Sequence, residues 1–299
     1  MKHADATIAG AGIIGLAAAL ELAAAGLRVV VFERGLAMRE SSWAAAGMLA
    51  ATDPENPSAL RPLSGLSRSL YPEFLAKVED LSGKTIPIRT TQTLQGTHTL
   101  PPEAQQLSAD AVQAIAPGLQ TNSLKFFLLE EQSLDPRDLA RALPLAVKAA
   151  GVTLLEQTTV TVVTSQSNSM QISTSAGDWT ATNFINACGA WASDLAAVPI
   201  VPRKGQTLLV ASPVQQLRAA LRTPELYLVP RGDGRILIGA TVENAGYNKR
   251  IDPSAIAALH NAAAQLWPPI RDARILDAWA GLRPASADCL PVIDRKSVV

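Results

Sequence analysis

The run Gly10-Ala11-Gly12-Ile13-Ile14-Gly15 constrains this chain more than any other feature. A short apolar stretch, Thr7-Ile8-Ala9, leads into it, and an Ala/Leu-rich stretch follows. Then come Leu27-Arg28-Val29-Val30-Val31-Phe32 and Glu33, the acid standing eighteen residues past Gly15. The order reads as strand, tight turn, helix, strand and acid. A lone G-x-G-x-x-G marks many ordinary turns, but this whole unit within about thirty residues is the sequence form of a dinucleotide site. Gly10 permits the turn, Gly12 lets backbone approach a pyrophosphate, and Gly15 lets helix and strand pack closely. The helix start offers free N–H groups and a positive dipole end to phosphate oxygens. Glu33 stands where a carboxylate accepts hydrogen bonds from both hydroxyls of a ribose.

The charge balance removes two classes of partner. Lysines plus arginines number 26, as do aspartates plus glutamates, so no net field draws in nucleic acid or an anionic membrane. Aromatics are 4% of the chain, and no basic tract interleaves with them. Cys188 and Cys289 are too few for a disulfide framework and are not spaced as metal ligands. A reducing cytoplasm and no metal are therefore expected. The chain enters its first strand within a few residues of Met1, so no secretory leader is expected. The apolar stretch from Ile13 to Leu27 is too short to span a bilayer and is interrupted by Glu21.

A chain of 299 residues allows a large core and two lobes. Asp53-Pro-Glu-Asn-Pro57 reads as a turn-rich loop. Leu60, Leu63, Leu70, Phe74, Val78 and Leu81 then recur at helical spacing, with Pro72 expected to kink that helix. The Thr-rich stretch from Thr85 to Leu100 reads as strands, Ile86 and Ile88 alternating. Asp135-Pro136-Arg137-Asp138 combines an N-cap acid, a first-position proline and a first-turn acid, opening a helix that ends at Gly151. Strands are expected at Val152–Glu156, Thr158–Thr164, Met170–Thr174 and Trp179–Ile185, then at Ile200–Ala211, Leu226–Pro230 and Arg235–Thr241. A helix is expected from Pro253 to Leu266. An NAD dehydrogenase would continue with alternating strand–helix units. This chain turns to antiparallel-looking β blocks instead, which suits an FAD enzyme with interleaved nucleotide and substrate lobes.

Seven segments, in order, resemble the glycine oxidase and D-amino-acid oxidase family of flavoproteins, particularly the glycine oxidases of thiamine biosynthesis. They are Ala9-Gly-Ala-Gly-Ile-Ile-Gly15, Ser41-Ser-Trp-Ala-Ala-Ala-Gly-Met48, Asp135-Pro-Arg137, Asn186-Ala-Cys-Gly-Ala-Trp191, Arg203-Lys-Gly-Gln206, Tyr227-Leu-Val-Pro-Arg231 and Trp279-Ala-Gly-Leu-Arg-Pro284. The resemblance implies an α/β fold, with a Rossmann-like FAD-binding domain interleaved with a substrate domain of antiparallel β-sheet plus helices. The first would take residues 1–84, 133–201 and 287–299, the second 85–132 and 202–286. It implies FAD, contacted by Gly10, Gly12, Ile14, Gly15, Glu33 and Arg34. Ser41, Ser42, Ala45, Ala46 and Gly47 would pass beside the pyrophosphate and flavin ring. Val160 would meet the adenine through its backbone, and Ala187, Gly189 and Trp191 would lie against the ribityl chain. Met48 would edge the substrate pocket, Arg283 would grip the substrate carboxylate, and Tyr227 would assist it. The implied reaction is oxidative deamination of glycine or another small amino acid, with oxygen reduced to hydrogen peroxide, in a homo-oligomer.

Residue chemistry supports the last two roles separately. A guanidinium meets a planar carboxylate with two parallel hydrogen bonds. Arg283 lies between Leu282 and Pro284 in a segment carrying Trp279, so it is expected to leave a strand towards a concave site. Tyr227 alone reads more often as a core residue whose hydroxyl finds a backbone partner. His98 and His260 are isolated and expected to face solvent, and Cys188 reads as a small buried side chain under the cofactor. Family members continue past the segment matching Leu290-Pro-Val-Ile293 with a strand, a flavin-covering loop and a helix. Here Asp294 stands where glycine is usual and the sequence stops at Val299, so that covering segment is expected to be missing. Two alternatives to an oxidase stay open on sequence: a dehydrogenase using a quinone or protein acceptor, and a non-catalytic nucleotide-binding remnant.

Overall fold

The computed structural model describes residues 2–212 and 217–294. The opening unit is β1 (Lys2–Ala9), α1 (Ile13–Ala24) and β2 (Val29–Phe32). β1 starts earlier than its three apolar residues suggest, because Ala4 and Ala6 are also buried. It pairs in parallel with β2, Ala6 opposite Val29 and Ala9 opposite Phe32. All of β2 is buried, as a parallel strand covered on both faces requires.

α2 (Ser41–Ala44) is a single turn, and α3 (Arg61–Ser82) runs unbroken through Pro72. The carbonyl deprived of a donor by Pro72 is that of Arg68, an exposed residue where water can replace the lost bond. β3 (Ile88–Thr90) and β4 (Thr93–Thr97) follow, then α4 (Ala109–Ile115), β5 (Lys125–Leu129) and β6 (Ser133–Leu134). α5 (Pro136–Ala149) begins as its sequence predicts, with the Asp135 carboxylate accepting from the Arg137 N–H at 3.0 Å. Its residues Leu139, Leu143, Ala146 and Val147 form the buried stripe that packs against α1 and α3.

β7 (Thr153–Leu155), β8 (Val160–Gln166), β9 (Ser169–Thr174) and β10 (Gly177–Asn186) complete a six-stranded sheet in the order β7-β2-β1-β10-β9-β8. Its first four strands are parallel, and β9 and β8 continue it antiparallel. β11 (Val201–Ala211), β12 (Ala220–Arg222), β13 (Tyr227–Pro230), β14 (Arg235–Gly239) and β15 (Arg274–Ala285) form the second sheet with β4 and β5. Its order is β15-β11-β14-β13-β12-β4-β5, with β12 and β4 parallel and the other pairs antiparallel. α6 (Pro253–Leu266) covers one face of it, and β3 pairs with β6 as a short ribbon. Strand ends agree with the sequence reading to within two residues or so, except β1 and the Thr85–Leu100 stretch. β5, β6 and β12 escaped that reading altogether.

Two main cores result. One gathers Ile8, Leu16, Leu20, Val31, Leu139 and Leu143 beneath the parallel strands. The other gathers Leu94, Phe126, Leu208, Leu228, Ile238 and Trp267 between the second sheet and α6. Trp267 is fully buried and its indole N–H donates to the Pro117 carbonyl at 2.9 Å, so the ring brings in no orphan donor. His98 is exposed, but His260 is half-buried with its Nε2 shielded from solvent, which corrects the solvent-facing expectation. The cause is its place one turn after Ile256, at the flank of the buried stripe of α6. Among the described residues no helix is long and apolar enough to cross a membrane.

A buried ion cluster ties the segment after α2 to the second sheet. Arg222 on β12 meets Glu131 at 3.0 Å and Asp53 at 3.3 Å, and donates through Nε to Gln95 at 2.6 Å. Glu131 also accepts from the N–H and hydroxyl of Thr52. Removing one partner strands the other charge in a low-dielectric interior. Glu131→Ala is therefore expected to destabilise the fold by about 3 kcal/mol, read by urea denaturation. A loss below about 0.5 kcal/mol, the surface-substitution range, would contradict this account of the cluster.

Candidate active site

The glycine turn is pinched between two strands. Gly10 N–H donates to the Phe32 carbonyl and Ala187 N–H to the Ala9 carbonyl, both at 2.8 Å. Gly10 has φ +100°, and a Cβ there would strike the Ala187 carbonyl. A Cβ on Gly15 would strike the Gly10 carbonyl, so α1 lies directly on the turn it caps. The Ser42 hydroxyl accepts from the Ile13 N–H at 3.0 Å, bringing α2 over the start of α1. A Cβ on Gly12 would sit 3.2 Å from that hydroxyl oxygen. The first turn of α1 carries no acidic side chain and Ile14 is 72% exposed, so the positive pole of the helix stays open to an anion.

Glu33 follows β2 with both carboxylate oxygens engaged, one by the Ala11 N–H at 2.8 Å and the other by the Gly35 N–H at 2.9 Å. Each oxygen keeps a lone pair, so the carboxylate is oriented beside the turn while still able to accept from hydroxyls. Arg34 stacks on Trp191 at 3.6 Å, and Trp191 stacks on Tyr247 with ring centroids 5.5 Å apart. Gly189, at φ +55°, opens the turn that carries Trp191. Val160 is buried at the start of β8 beside Phe32 and Trp179. Cys188 is half-buried, and burial, reinforced by the Glu33 charge, pushes its thiol up to about 12.

The loop after α2 leads from this edge to the second sheet. Gly47, at φ +79°, takes the Leu134 N–H at 3.0 Å, and Met48 bridges to Ser133. Ala46 carbonyl accepts from Arg231 Nη1 at 3.0 Å, and the same nitrogen donates to the Leu134 carbonyl at 2.8 Å. Arg231 is 3% exposed, and burial lowers its pKa from the ordinary guanidinium value. Trp279 on β15 donates to the Ala44 carbonyl at 3.1 Å, and a Cβ on Gly281 would strike the Ala44 methyl. Ser41 and Ser42 thus sit in α2 and Ala45 just beyond it, under β15.

Two glycines make room for the polar pair. Arg283 lays its guanidinium across Gly205, where a Cβ would collide with Nη1, Nη2 and Cζ together. The Tyr227 ring lies across Gly239 in the same manner. Arg283 is exposed, yet its Nη1 donates to the Thr241 carbonyl at 3.3 Å, so the side chain is folded onto the sheet. Burial pushes the Tyr227 hydroxyl up in pKa, and the neighbouring Arg283 charge pulls partly back; the group stays protonated at neutral pH. Met48, Tyr227 and Trp279 pack on Leu209, Val229 and Leu237 as one apolar wall. Sequence reasoning named Met48, Tyr227 and Arg283, which the fold brings to one face. It missed Gly205, Gly239 and Thr241, although Gly205 stood in the quoted Arg203–Gln206 segment.

A cavity of about 1320 Å³ opens between α3 and residues 101–108, lined by none of Met48, Tyr227 or Arg283. No group of three His, Cys, Asp or Glu side chains among the described residues is placed to hold a metal. A raised thiol pKa leaves Cys188 neutral and unreactive at pH 8. Iodoacetamide at that pH is expected to label exposed Cys289 and spare Cys188 in the folded chain, read by peptide mass spectrometry. Equal labelling would mean that Cys188 is not shielded.

Comparison with known proteins fits this geometry. Residues 5–299 match the family described as FAD dependent oxidoreductase. The chain is 33% identical to the glycine oxidase of Pseudomonas aeruginosa, over 96% of this chain and 84% of that protein. It is 34% identical to the bifunctional protein ThiO/ThiG of Trichormus variabilis over 97% of its own length, but spans only 47% of that relative. Its fold superposes on the crystal structure of glycine oxidase from Geobacillus kaustophilus with a TM-score of 0.94 at 29% identity, covering 100% of this chain and 87% of that one. With an α/β fold of that type, the chain belongs to the FAD-dependent oxidoreductases of the glycine oxidase and D-amino-acid oxidase family.

Proposed function

We propose that this protein is an FAD-dependent oxidase of glycine or another small primary or secondary amino acid. The carrying observation is Arg283 beside Tyr227 on an apolar wall reached from the open glycine turn. The residues present fit FAD: the cradle at Gly10, Gly12, Ile14 and Gly15 takes the pyrophosphate, and Glu33 with Arg34 takes the adenosine end. Ser41, Ser42, Ala45, Ala46, Gly47, Val160, Ala187, Gly189 and Trp191 complete the binding surface. In this reading residues 1–84, 133–201 and 287–299 form the FAD-binding domain, and 85–132 and 202–286 the substrate domain. Bound FAD supplies the two-electron acceptor.

The chain's own residues do the positioning. Arg283 presents its remaining N–H groups to the substrate carboxylate as a planar fork. Tyr227, kept protonated, donates its O–H to the same carboxylate. Met48 and Trp279 exclude water from one side, which strengthens both bonds. Holding the carboxylate fixes the α-carbon and its amine relative to the oxidant. The amine is oxidised to an imine, which water hydrolyses to the α-keto acid and ammonia, or a primary amine from a secondary substrate, while oxygen becomes hydrogen peroxide. We place this activity in a reducing cytoplasm, in keeping with only two cysteines, and in a homo-oligomer, as the family analogy suggests.

Arg283→Ala is expected to raise KM for glycine on the order of a hundredfold, because each lost hydrogen bond to a charged group contributes about 1.5–3 kcal/mol. Arg283→Lys should recover only part, since a point-charge ammonium cannot make two parallel bonds. Unchanged glycine kinetics in Arg283→Ala would remove Arg283 from the reaction. Purified protein is expected to be yellow and to bleach on anaerobic addition of glycine. Rapid return of colour with air supports an oxidase, whereas sluggish return would indicate a quinone or protein acceptor.

A further inference from the structure

We propose that Thr241 and Glu243 are positioning residues that aim Arg283 at the substrate carboxylate, working through a hydrogen-bond chain on the opposite side of the second sheet. The inference rests on the carboxylate-binding role given to Arg283 above. β14 ends at Gly239, and the chain then rejoins β11 as an irregular segment. Thr241 N–H donates to the Gln206 carbonyl at 3.2 Å, and Glu243 and Lys204 exchange backbone bonds at 2.9 and 3.0 Å. Thr241 therefore sits where no regular strand fixes its peptide.

Its side chain supplies what the ladder does not. The Thr241 hydroxyl accepts from the Gln206 N–H at 2.8 Å and donates to Glu243 Oε1. That oxygen also accepts from Gln206 Nε2 at 2.7 Å, and Glu243 Oε2 faces Lys204 Nζ at 3.2 Å. Lys204 is 4% exposed, so Glu243 is the counter-charge beside a buried ammonium. Gln206 Oε1 in turn accepts from the Asp252 N–H at 2.7 Å, anchoring the chain to the start of α6. The Thr241 hydroxyl is the foremost cause holding the Glu243 carboxyl below its ordinary pKa, so the acid stays charged and keeps accepting.

Alternation along β11 separates the two sides. Lys204 and Gln206 share the face of Leu208 and Val210, in the core under α6, whereas Gly205 lies under Arg283 on the other face. Thr241 spans that divide: its hydroxyl is held on the α6 side and its carbonyl accepts from Arg283 on the site side. Apart from that bond and one to the Tyr227 hydroxyl, Arg283 is an exposed, rotamer-rich side chain. Fixing the Thr241 peptide fixes the acceptor that turns the guanidinium fork towards Tyr227.

Thr241→Val removes only the hydroxyl and leaves the Lys204–Glu243 pair in place. Its KM for glycine is expected to rise about tenfold, the scale of one lost hydrogen bond, with kcat unchanged within about twofold. The dissociation constant of acetate, a carboxylate that cannot be oxidised, should rise by the same factor, read from the perturbation of flavin absorbance. FAD affinity of the apoprotein should not move, and Thr241→Ser should restore wild-type values. Should Thr241→Val misfold, Lys204→Met with Glu243→Met removes the acceptor and its cation together without stranding a charge, and should give the same split. Unchanged acetate binding in Thr241→Val, while Arg283→Ala weakens it, overturns the positioning role and spares Arg283. Unchanged acetate binding in Arg283→Ala overturns both.

Discussion

The site depends on β15 closing onto α2. Nothing in the local sequence of either element produces a binding face; the face exists because Gly281 has no side chain and the Ala44 methyl occupies that space. Trp279, one pleat away, fastens the contact by donating to the Ala44 carbonyl. Arg137 on α5 lies 4.0 Å from the Trp279 ring centroid and 5.0 Å from that of Trp43, and pairs with Asp277 at 3.2 Å. A cation between two indoles and a carboxylate joins three parts of the chain with planar, direction-sensitive contacts. This junction carries Arg283 from near the C-terminus to the loop that leaves the N-terminal nucleotide unit.

The same device recurs wherever backbone must come close. Gly10 and Gly15 allow turn, helix and the strand end at Ala187 to touch, and Gly205 and Gly239 allow a guanidinium and a phenol ring to lie on the sheet. The space of the missing Cβ is taken by Ala187 at Gly10, by the turn's own Gly10 carbonyl at Gly15, by Arg283 at Gly205 and by Tyr227 at Gly239. A methyl at any of these points would displace backbone or a functional side chain rather than a flexible surface tip, so small substitutions here act on the site before they act on the core.

That distinction explains what could be read in advance. The Gly10–Gly15 unit, Glu33 and the Asp135-Pro136 helix start are legible because their physics is local: a turn, a cap and a dipole need only a few consecutive residues. Placing Tyr227 and Arg283 in one site drew on family resemblance, since 56 residues separate them and no spacing rule spans a sheet register. The role of Gly205 was hidden because it is defined by Arg283, four strands later in sequence. β12 was hidden for a related reason: three buried residues, Ala220, Leu221 and Arg222, have no periodicity, and their strand exists through pairing with β4 and β13. Pro72 shows the converse, a strong local signal that an exposed helix face absorbs without a break.

Two arginines near the site divide the electrostatic work, and burial decides which does what. Arg231 is enclosed and spends Nη1 on the Ala46 and Leu134 carbonyls, so its desolvation is offset by fixed acceptors and it cannot swing to a ligand. It holds the wall. Arg283 lies over a glycine with one donor committed to Thr241 and another bonded to the Tyr227 hydroxyl, its side chain otherwise exposed. A carboxylate arriving there exchanges hydration of a planar fork for two parallel charge-assisted bonds, with the charge already turned by the sheet beneath it. The chain's equal totals of acid and base conceal this asymmetry, because attraction for an anion is set by which cations remain unspent at the binding face and not by their number.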